Sequence, residues 1–320
     1  MAFIVRRLNW KPVAKLMLFG LIIMDMISIP VTDPTWLMAV RFLHGCIGGA
    51  LVGLGFSIFA RTPAPDRTFG VLLLVQAGAG GLGVMCLPFL VSLFGTPVLF
   101  IALIFFSVVT MLMLHFFPDY PVVAPLPDAP AAAPLMLKSL LFALFGVFLF
   151  QAANMGLYAF IIGLGKQAGL EIGFISETLG LANWVGMLGA LLVVMLSTHY
   201  GIFKPIMGGM LLAIVGSWAL LYSDAKWIWI ASNFITGITW NFGIAYLLGM
   251  CARFDQTGQT AVWGGFASKM GLASGPMIGS FLLGDNHYAT LVWMAVLLLA
   301  IATMASGIPA WILDRGVGRK

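Results

Sequence analysis

Charged residues are scarce in this chain. They make up 8% of its 320 residues, whereas hydrophobic residues make up 61% and the mean hydropathy is +1.06. Soluble domains carry about 25% charged residues, so this composition excludes an ordinary soluble protein and predicts a polytopic membrane protein. The net charge of +5 does not indicate nucleic-acid binding, because the basic residues lie mostly in short loops between apolar runs.

Cysteine is also rare, and the usual catalytic motifs are missing. Cys46, Cys86 and Cys251 lie in or at the ends of apolar helices, without the spacing of metal ligands or of a disulfide framework. The sequence contains no phosphate-binding Gly-Lys-Ser/Thr loop, no Gly-x-Ser-x-Gly and no His-Glu-x-x-His. We therefore expect neither an enzyme nor a bound cofactor or metal. A membrane-embedded enzyme is the least supported class, because no His or Asp cluster is present.

Long apolar stretches dominate what is present. Each is long enough for a membrane-spanning helix of about 20 residues, and a helix satisfies its own backbone in lipid. A Pro- and Ala-rich linker over 118–137 separates an incomplete half with four spans (1–117) from a half with six (138–320). The predicted spans cover 13–32, 35–60, 68–93, 96–117, 138–164, 172–197, 204–222, 226–250, 259–283 and 289–312.

Lysine and arginine predict the orientation in the membrane. With the N-terminus inside, twelve of them lie on the cytoplasmic side and only Lys166 and Lys226 lie outside, while Arg41 and Lys269 fall within spans. We expect both termini to be cytoplasmic and the membrane to be a bacterial inner membrane. The twelve are Arg6, Arg7, Lys11, Lys15, Arg61, Arg67, Lys138, Lys204, Arg253, Arg315, Arg319 and Lys320.

The two halves share a weak internal repeat. When the sequence is shifted by 192 positions without gaps, Ala60-Arg61 falls on Ala252-Arg253, Thr68 on Thr260 and Gly83 on Gly275. The segment 41–45 falls on 233–237 in the same register. Matches in one register predict two related halves, which is the usual construction of secondary transporters.

Three motifs resemble those of the major facilitator superfamily of transporters. Arg41, followed four residues later by Gly45, resembles the family's fourth-helix motif, in which glutamine often stands at the position of His44. The run of Gly271, Gly275, Pro276 and Gly279 resembles its Gly-Pro signature in the eleventh helix. The basic segment 7–11 resembles the tail of the loop between its second and third helices, without that loop's initial glycine and aspartate.

The resemblance implies an all-α membrane bundle with about ten transmembrane helices in two pseudo-symmetric halves. These would be the family's helices three to twelve, without the first helix and most of the second. A late-assigned start, a fragment or a shortened protein would each explain this. The structural alternative is a ten-helix transporter of the drug/metabolite type, which repeats every five helices, whereas the offset here spans six.

Polar and charged residues inside the spans are the candidates for substrate binding. An ionisable residue within a membrane helix is a functional hypothesis by default, and polar residues at one-face spacing can line a cavity. Alternatives remain open: Arg41 can extend to the outer interface, His44 can serve packing, and the amides can join helices. The candidates are Arg41, His44, Gln151, Asn154, Tyr158, Asn233, Thr236, Trp240, Asn241 and Lys269.

Proton coupling and helix packing have candidates of their own. His44, Asp25 and Glu177 are the titratable groups that could couple to protons. Alternatively, Asp25 could lie near the outer interface or pair with a neighbouring helix, and Glu177 could lie at the outer interface. Lys269 should have a partner, either Glu177, a substrate anion or backbone carbonyls. Helix packing across the interface between the halves is the role predicted for Gly271, Gly275, Pro276 and Gly279.

Together these features predict a secondary transporter, or permease, that moves a small solute by alternating access and is coupled to protons. Without a nucleotide-binding segment, a gradient would have to drive it. Its partners would be the substrate, a proton or other coupling ion and the lipid bilayer, and we expect a monomer. The functional alternative is a membrane protein that does not transport, such as a sensor, an assembly factor or a truncated relic.

Overall fold

Helices are the only regular elements in the residues described by the computed structural model, which are 9–117, 134–197, 199–255, 258–284 and 287–317. A 3-10 turn, Leu220–Tyr222, extends α8. The helices are α1 (Trp10–Ser28), α2 (Pro34–Phe59), α3 (Pro65–Phe94), α4 (Pro97–Met113), α5 (Pro134–Tyr158), α6 (Ile161–Gln167), α7 (Ile172–Leu196), α8 (Phe203–Ala219), α9 (Lys226–Ala252), α10 (Gln259–Leu283) and α11 (Tyr288–Val317).

Proline marks where several helices begin. Pro34, Pro65 and Pro97 stand in the first turn of α2, α3 and α4, where the missing proline N–H has no intrahelical acceptor to lose. The side chain of Asp33 adds a cap by accepting a hydrogen bond of 2.9 Å from the backbone N–H of Trp36. Local sequence therefore fixes the starts of these helices independently of their packing.

Nine of the ten predicted spans correspond to single helices, and the fifth does not. The prediction of one continuous span over 138–164 is wrong, because α5 ends at Tyr158 and the short helix α6 follows after a turn. At this turn the Phe160 ring packs so closely against Gly279 that a Cβ on this glycine would lie 2.8 Å from the ring. By length and composition alone, six helices in the described part of the chain qualify as membrane spans: α2, α5, α7, α8 with its 3-10 turn, α9 and α11.

The helix boundaries follow the internal repeat. Shifted by 192 positions, Pro34 falls on Lys226, so the start of α2 coincides with the start of α9. In the same register α1, α3 and α4 fall on α8, α10 and α11. Residues 118–133 of the predicted linker over 118–137 lie outside the described residues. The last four positions of the predicted linker belong to α5, which begins at Pro134.

The two halves meet through a small set of helices. Within the first half α1 packs against α2 and α4, and within the second half α5 packs against α9, α10 and α11, while α9 also packs against α7 and α8. Between the halves, α3 contacts α7 and α9, and α2 contacts α10. A cavity between the halves is therefore bordered by α2 and α3 on one side and by α5, α7, α9 and α10 on the other.

The glycine ladder of α10 serves packing, but not between the halves as predicted. Gly271, Gly275 and Gly279 face α5 of their own half, where Cβ atoms would meet the carbonyl oxygens of Phe148, Ala152 and Gly156. Such contacts with backbone leave no room for a side chain. The half-to-half contact of α10 is made one face away, where a Cβ on Gly265 would lie 2.5 Å from the Phe56 ring.

We expect Gly275→Ala to lower the stability of the detergent-solubilised protein by about 1–3 kcal/mol, because the added methyl group would overlap the backbone of α5. Thermal unfolding followed by intrinsic fluorescence measures this effect. Gly180→Ala is the matched control, since nothing lies within 4 Å of its Cβ position. Equal unfolding temperatures for the two variants would show that α5 and α10 are not closely packed.

Candidate functional site

A central cavity of about 310 Å³ lies between the two halves. It draws residues from α2 and α3 of the first half and from α5, α7, α9 and α10 of the second. Aliphatic side chains form much of its wall, and the polar groups converge from several helices. These polar and charged lining residues are Gln76, Gln151, Asn183, Trp240, Asn241, Ser268 and Lys269.

Gln151 connects three helices at the wall of the central cavity. Its amide nitrogen donates to the hydroxyl oxygen of Ser268 at 2.8 Å, and its amide oxygen accepts from the indole N–H of Trp240 at 2.6 Å. The side chain is buried, with 5% exposure. These bonds fix the orientation of the Trp240 ring, whose N–H is occupied and whose remaining surface borders the cavity.

A second cavity of about 230 Å³ adjoins the first and shares Asn183, Trp240 and Asn241 with it. Tyr158 and Thr236 also line it, and the Tyr158 ring stands edge-on to Trp240 with centroids 5.8 Å apart. The two cavities thus form one polar region on both sides of Trp240. The buried hydroxyl oxygen of Thr236 has no hydrogen-bond partner in the described part of the chain.

Three of the predicted amides turn towards their own helices, and one of them is Asn241, which donates to the carbonyl of Gly237 at 3.1 Å. Asn154 donates to the carbonyl of Phe150 at 2.8 Å, and Asn233 donates to the carbonyl of Trp229 at 2.9 Å. Asn233 still contributes to the wall of the second cavity, whereas Asn154 is 3% exposed and packs inside the second half. One-face spacing on α5 therefore grouped Gln151, which lines the central cavity, with Asn154, which packs inside the second half.

Lys269 lines the central cavity and also a third cavity of about 360 Å³ between α2 and α10. The rest of this third cavity is small or apolar and includes Gly49, Gly53 and Trp263. Among the described residues Lys269 has no ion-pair partner. Glu177, one of the three partners considered for Lys269, is an exposed residue of α7.

Arg41 and His44 meet at a buried carboxylate. The guanidinium of Arg41 donates to Asp25 at 2.6 Å and to the hydroxyl of Ser28 at 2.8 Å, and the imidazole Nε2 of His44 lies 3.2 Å from the same carboxylate. The Asp25 side chain is 1% exposed, and Arg41 also stacks over Phe100 at 5.0 Å. This cluster joins α1, α2 and α4 within the first half.

The central cavity is closed at one end, which we name the basic end because Arg61, Arg67, Lys204 and Arg253 lie there. Arg253, which follows α9, forms an ion pair of 2.6 Å with Asp66 in the first turn of α3. The Asp66 side chain is completely buried. This pair joins the two halves, and a Cβ on Gly249 would lie 2.8 Å from the Asp66 backbone.

Further contacts seal the basic end. Gly258 has a φ of 80°, in the left-handed region that favours glycine, and a Cβ there would meet the carbonyl of Ser57 across the interface. Arg61 lies in the loop after α2, where burial lowers the pKa of its guanidinium and the carboxylate of Asp255 acts in the opposite direction. The halves therefore touch through backbone and charge at this end.

Several functional residues were not predicted from the sequence. Gln76 and Ser268 line the central cavity, and Asp66 pairs with Arg253, yet none of them stands in a polar pattern. Asp66 and Arg253 come together only once the halves are placed against each other. The only signal available was the repeat, which places Arg253 opposite Arg61 in an equivalent loop.

Solved structures share this arrangement of helices. FucP, described as a major facilitator superfamily transporter in the outward conformation, matches with a TM-score of 0.77 and 13% identity, over 96% of this chain and 85% of FucP. XylE, described as a proton:xylose symporter bound to 6-bromo-6-deoxy-D-glucose, matches with a TM-score of 0.68 and 14% identity, over 95% of this chain and 80% of XylE. No protein-family model and no curated protein matches the chain. The structural similarities confirm the predicted fold class.

Proposed function

We propose that this chain, which has the fold of major facilitator superfamily transporters, is a secondary transporter that moves a small solute by alternating access. The observation that carries the proposal is the polar central cavity between two pseudo-symmetric halves, closed at one end. A binding site at the interface of two repeats suits a rocking motion, because each half can move as a unit around a fixed site. The fold is that of transporters and not of an enzyme.

Alternating access requires the contacts at the basic end to separate. The pair of Asp66 with Arg253 and the contact of Gly258 with Ser57 would have to open while the opposite end closes. Both contacts join separate halves, so a rotation of one half against the other breaks them together. This geometry supports two alternative states of one cavity.

We assign substrate contact to the residues that line the two adjoining cavities. Gln151, Trp240, Asn241 and Lys269 would contact a solute in the central cavity, and Tyr158, Asn233 and Thr236 would do so in the second cavity. Asn154 would support this wall through α5. We assign Arg41 and His44 to coupling, because both bind Asp25 within the first half.

The cluster around Asp25 is our candidate for proton coupling. A carboxylate that bonds both an arginine and an imidazole can exchange a proton while its partners rearrange. Glu177, the third candidate, is exposed near the start of α7, which suits a gating role better than a buried proton site.

We propose a bacterial inner membrane and two cytoplasmic termini, as the distribution of lysine and arginine predicts. The basic end then faces the cytoplasm, and the cavity opens away from it. This orientation agrees with the similarity to FucP, which is described in the outward conformation. We expect the chain to act as a monomer, because the cavity is formed between halves of one chain.

Reconstitution into proteoliposomes tests the proposal. The purified chain should accelerate the efflux of at least one solute from a panel of small labelled sugars, sugar acids, amino acids and organic acids, relative to empty liposomes. Counterflow with excess unlabelled solute should then accumulate the label transiently. A correctly inserted protein that moves no solute would favour the alternative of a non-transporting membrane protein.

We expect Trp240→Ala to lower the rate of transport at least tenfold, because it removes the aromatic wall between the two cavities and the partner of Gln151. Initial rates of uptake measure the effect, normalised to protein in the membrane. Trp227→Ala on the same helix is the matched control, since this side chain is 72% exposed. A Trp240 variant that transports at the control rate would remove this region from the substrate site.

A further inference from the structure

The lining of the central cavity contains a cation without an anion. Lys269 is its one charged residue, and no Asp or Glu of the described chain lines that cavity. Lys269 is exposed to this cavity, and a ligand that displaces the cavity water would leave its charge uncompensated unless the ligand supplied a negative charge. Charge alone would admit any small anion.

The amide side chains of the central cavity restrict the class of anion that can bind there. Gln76 and Asn183 each present both a donor and an acceptor, whereas Gln151 already bonds Ser268 and Trp240, and Asn241 already donates to the carbonyl of Gly237. Hydroxyl groups also donate and accept, so a polyhydroxylated ligand can pair with both free amides. A small anion without hydroxyl groups would leave the amides of Gln76 and Asn183 unpaired on desolvation, which costs free energy for each group.

Trp240 adds a flat apolar surface to the same wall. Its N–H is already donated to Gln151, so the indole offers a ligand its ring face and edge rather than a hydrogen bond. The C–H faces of a sugar ring fit such a surface while the ring hydroxyls reach the amides. At about 310 Å³ the cavity lies at the lower end of ligand sites, which suits one ring rather than an oligomer.

We propose that the central cavity binds a monosaccharide-sized sugar acid, with its carboxylate at Lys269 and its hydroxyls at the amides around Trp240. The inference rests on the proposed transport function and specifies its substrate class. Arg41 is not part of this anion site, because its guanidinium is already paired with Asp25.

D-glucuronate and D-glucose test the proposal, because they differ only in a carboxylate or a hydroxymethyl group on the same ring. Equilibrium dialysis of the purified full chain should show at least tenfold tighter binding of D-glucuronate. Lys269→Met should abolish this preference and Lys269→Arg should retain it. Lys138→Met, which removes an exposed lysine at the start of α5, should bind like the unaltered protein.

The proposal is overturned if both sugars bind equally, or if Lys269→Met keeps the preference for the acid. Proteoliposome efflux of the full solute panel separates this failure from failure of the transport function. Movement of other solutes but neither sugar would overturn the substrate class and leave transport standing. Binding of D-glucuronate without any movement would support the site and contradict the transporter.

Discussion

Arg253→Met is expected to open the basic end of the cavity. The substitution leaves the carboxylate of Asp66 completely buried without its partner, and breaking one side of such a pair costs about 3–5 kcal/mol. In the alternative state the basic end is open, and Asp66 and position 253 are both exposed to water. The free-energy cost of the unpaired carboxylate therefore falls on the state in which the basic end is closed. A difference of that size shifts the ratio of the two states by about a hundredfold or more.

Labelling of a single cysteine measures this shift. Ala77→Cys places a thiol at the wall of the central cavity after Cys46, Cys86 and Cys251 have been replaced by serine. A membrane-impermeant maleimide applied from the side of the basic end should then react at least tenfold faster in the Arg253→Met background.

Arg67→Met is the control for this experiment, because Arg67 is exposed and directly follows Asp66 in the chain. The double variant Asp66→Asn/Arg253→Met should recover part of the closed state, since no charge remains buried. Unchanged labelling in Arg253→Met would show that the ion pair does not hold the halves together.

Asp25→Asn is expected to separate exchange from accumulation. The substitution preserves hydrogen bonding at a buried position that contacts both Arg41 and His44, but it removes the group that can gain or lose a proton. Counterflow at equal pH should therefore continue, while uptake driven by a pH gradient should be lost. Both are measured in the same proteoliposomes with the solute identified by the efflux panel.

The free energy of unfolding gives a second test of the Asp25→Asn variant. Arg41 would remain without its counter-charge, and we expect a loss of about 3 kcal/mol, at the lower end for a buried pair because the Arg41 side chain is 28% exposed. Asp25→Asn/Arg41→Gln should recover part of that loss. Asp33→Asn is the control, since Asp33 is exposed and asparagine also caps helices well. Intact uptake driven by the pH gradient in Asp25→Asn would remove this cluster from proton coupling.

Helix positions were readable from the sequence because each depends on a local property. Apolar length located the ten long helices. The prolines at the starts of α2, α3 and α4 are a further local signal. The break after Tyr158 was not predicted, and the contact made at this turn, between Phe160 and Gly279, joins residues that are far apart in the chain. The glycine ladder of α10 likewise predicted close helix packing, but the sequence did not indicate which helix it packs against.

Some of the residues that line the cavity were predictable, because they also follow a local pattern in the sequence. Gln151 and Trp240 stood out because each belongs to a polar stripe on an otherwise apolar helix. Gln76 stands alone in a glycine-rich helix, and Asp66 and Arg253 are 187 positions apart. Their roles depend on how the halves meet, which no local pattern encodes. For Arg41 the sequence motif was recognised, but the ion pair that Arg41 forms with Asp25 was not predicted.

The lone ammonium group of Lys269 also has an electrical consequence. Asp25 balances Arg41 and Asp66 balances Arg253, whereas no carboxylate of the described residues balances Lys269. With a monoanion bound, the site is neutral, and the empty site carries one positive charge. A membrane voltage performs work of about 2.3 kcal/mol per charge per 100 mV. An inside-negative voltage would therefore oppose the outward return of the empty, positively charged site during uptake, whereas the site neutralised by a monoanion would cross the field without electrical work.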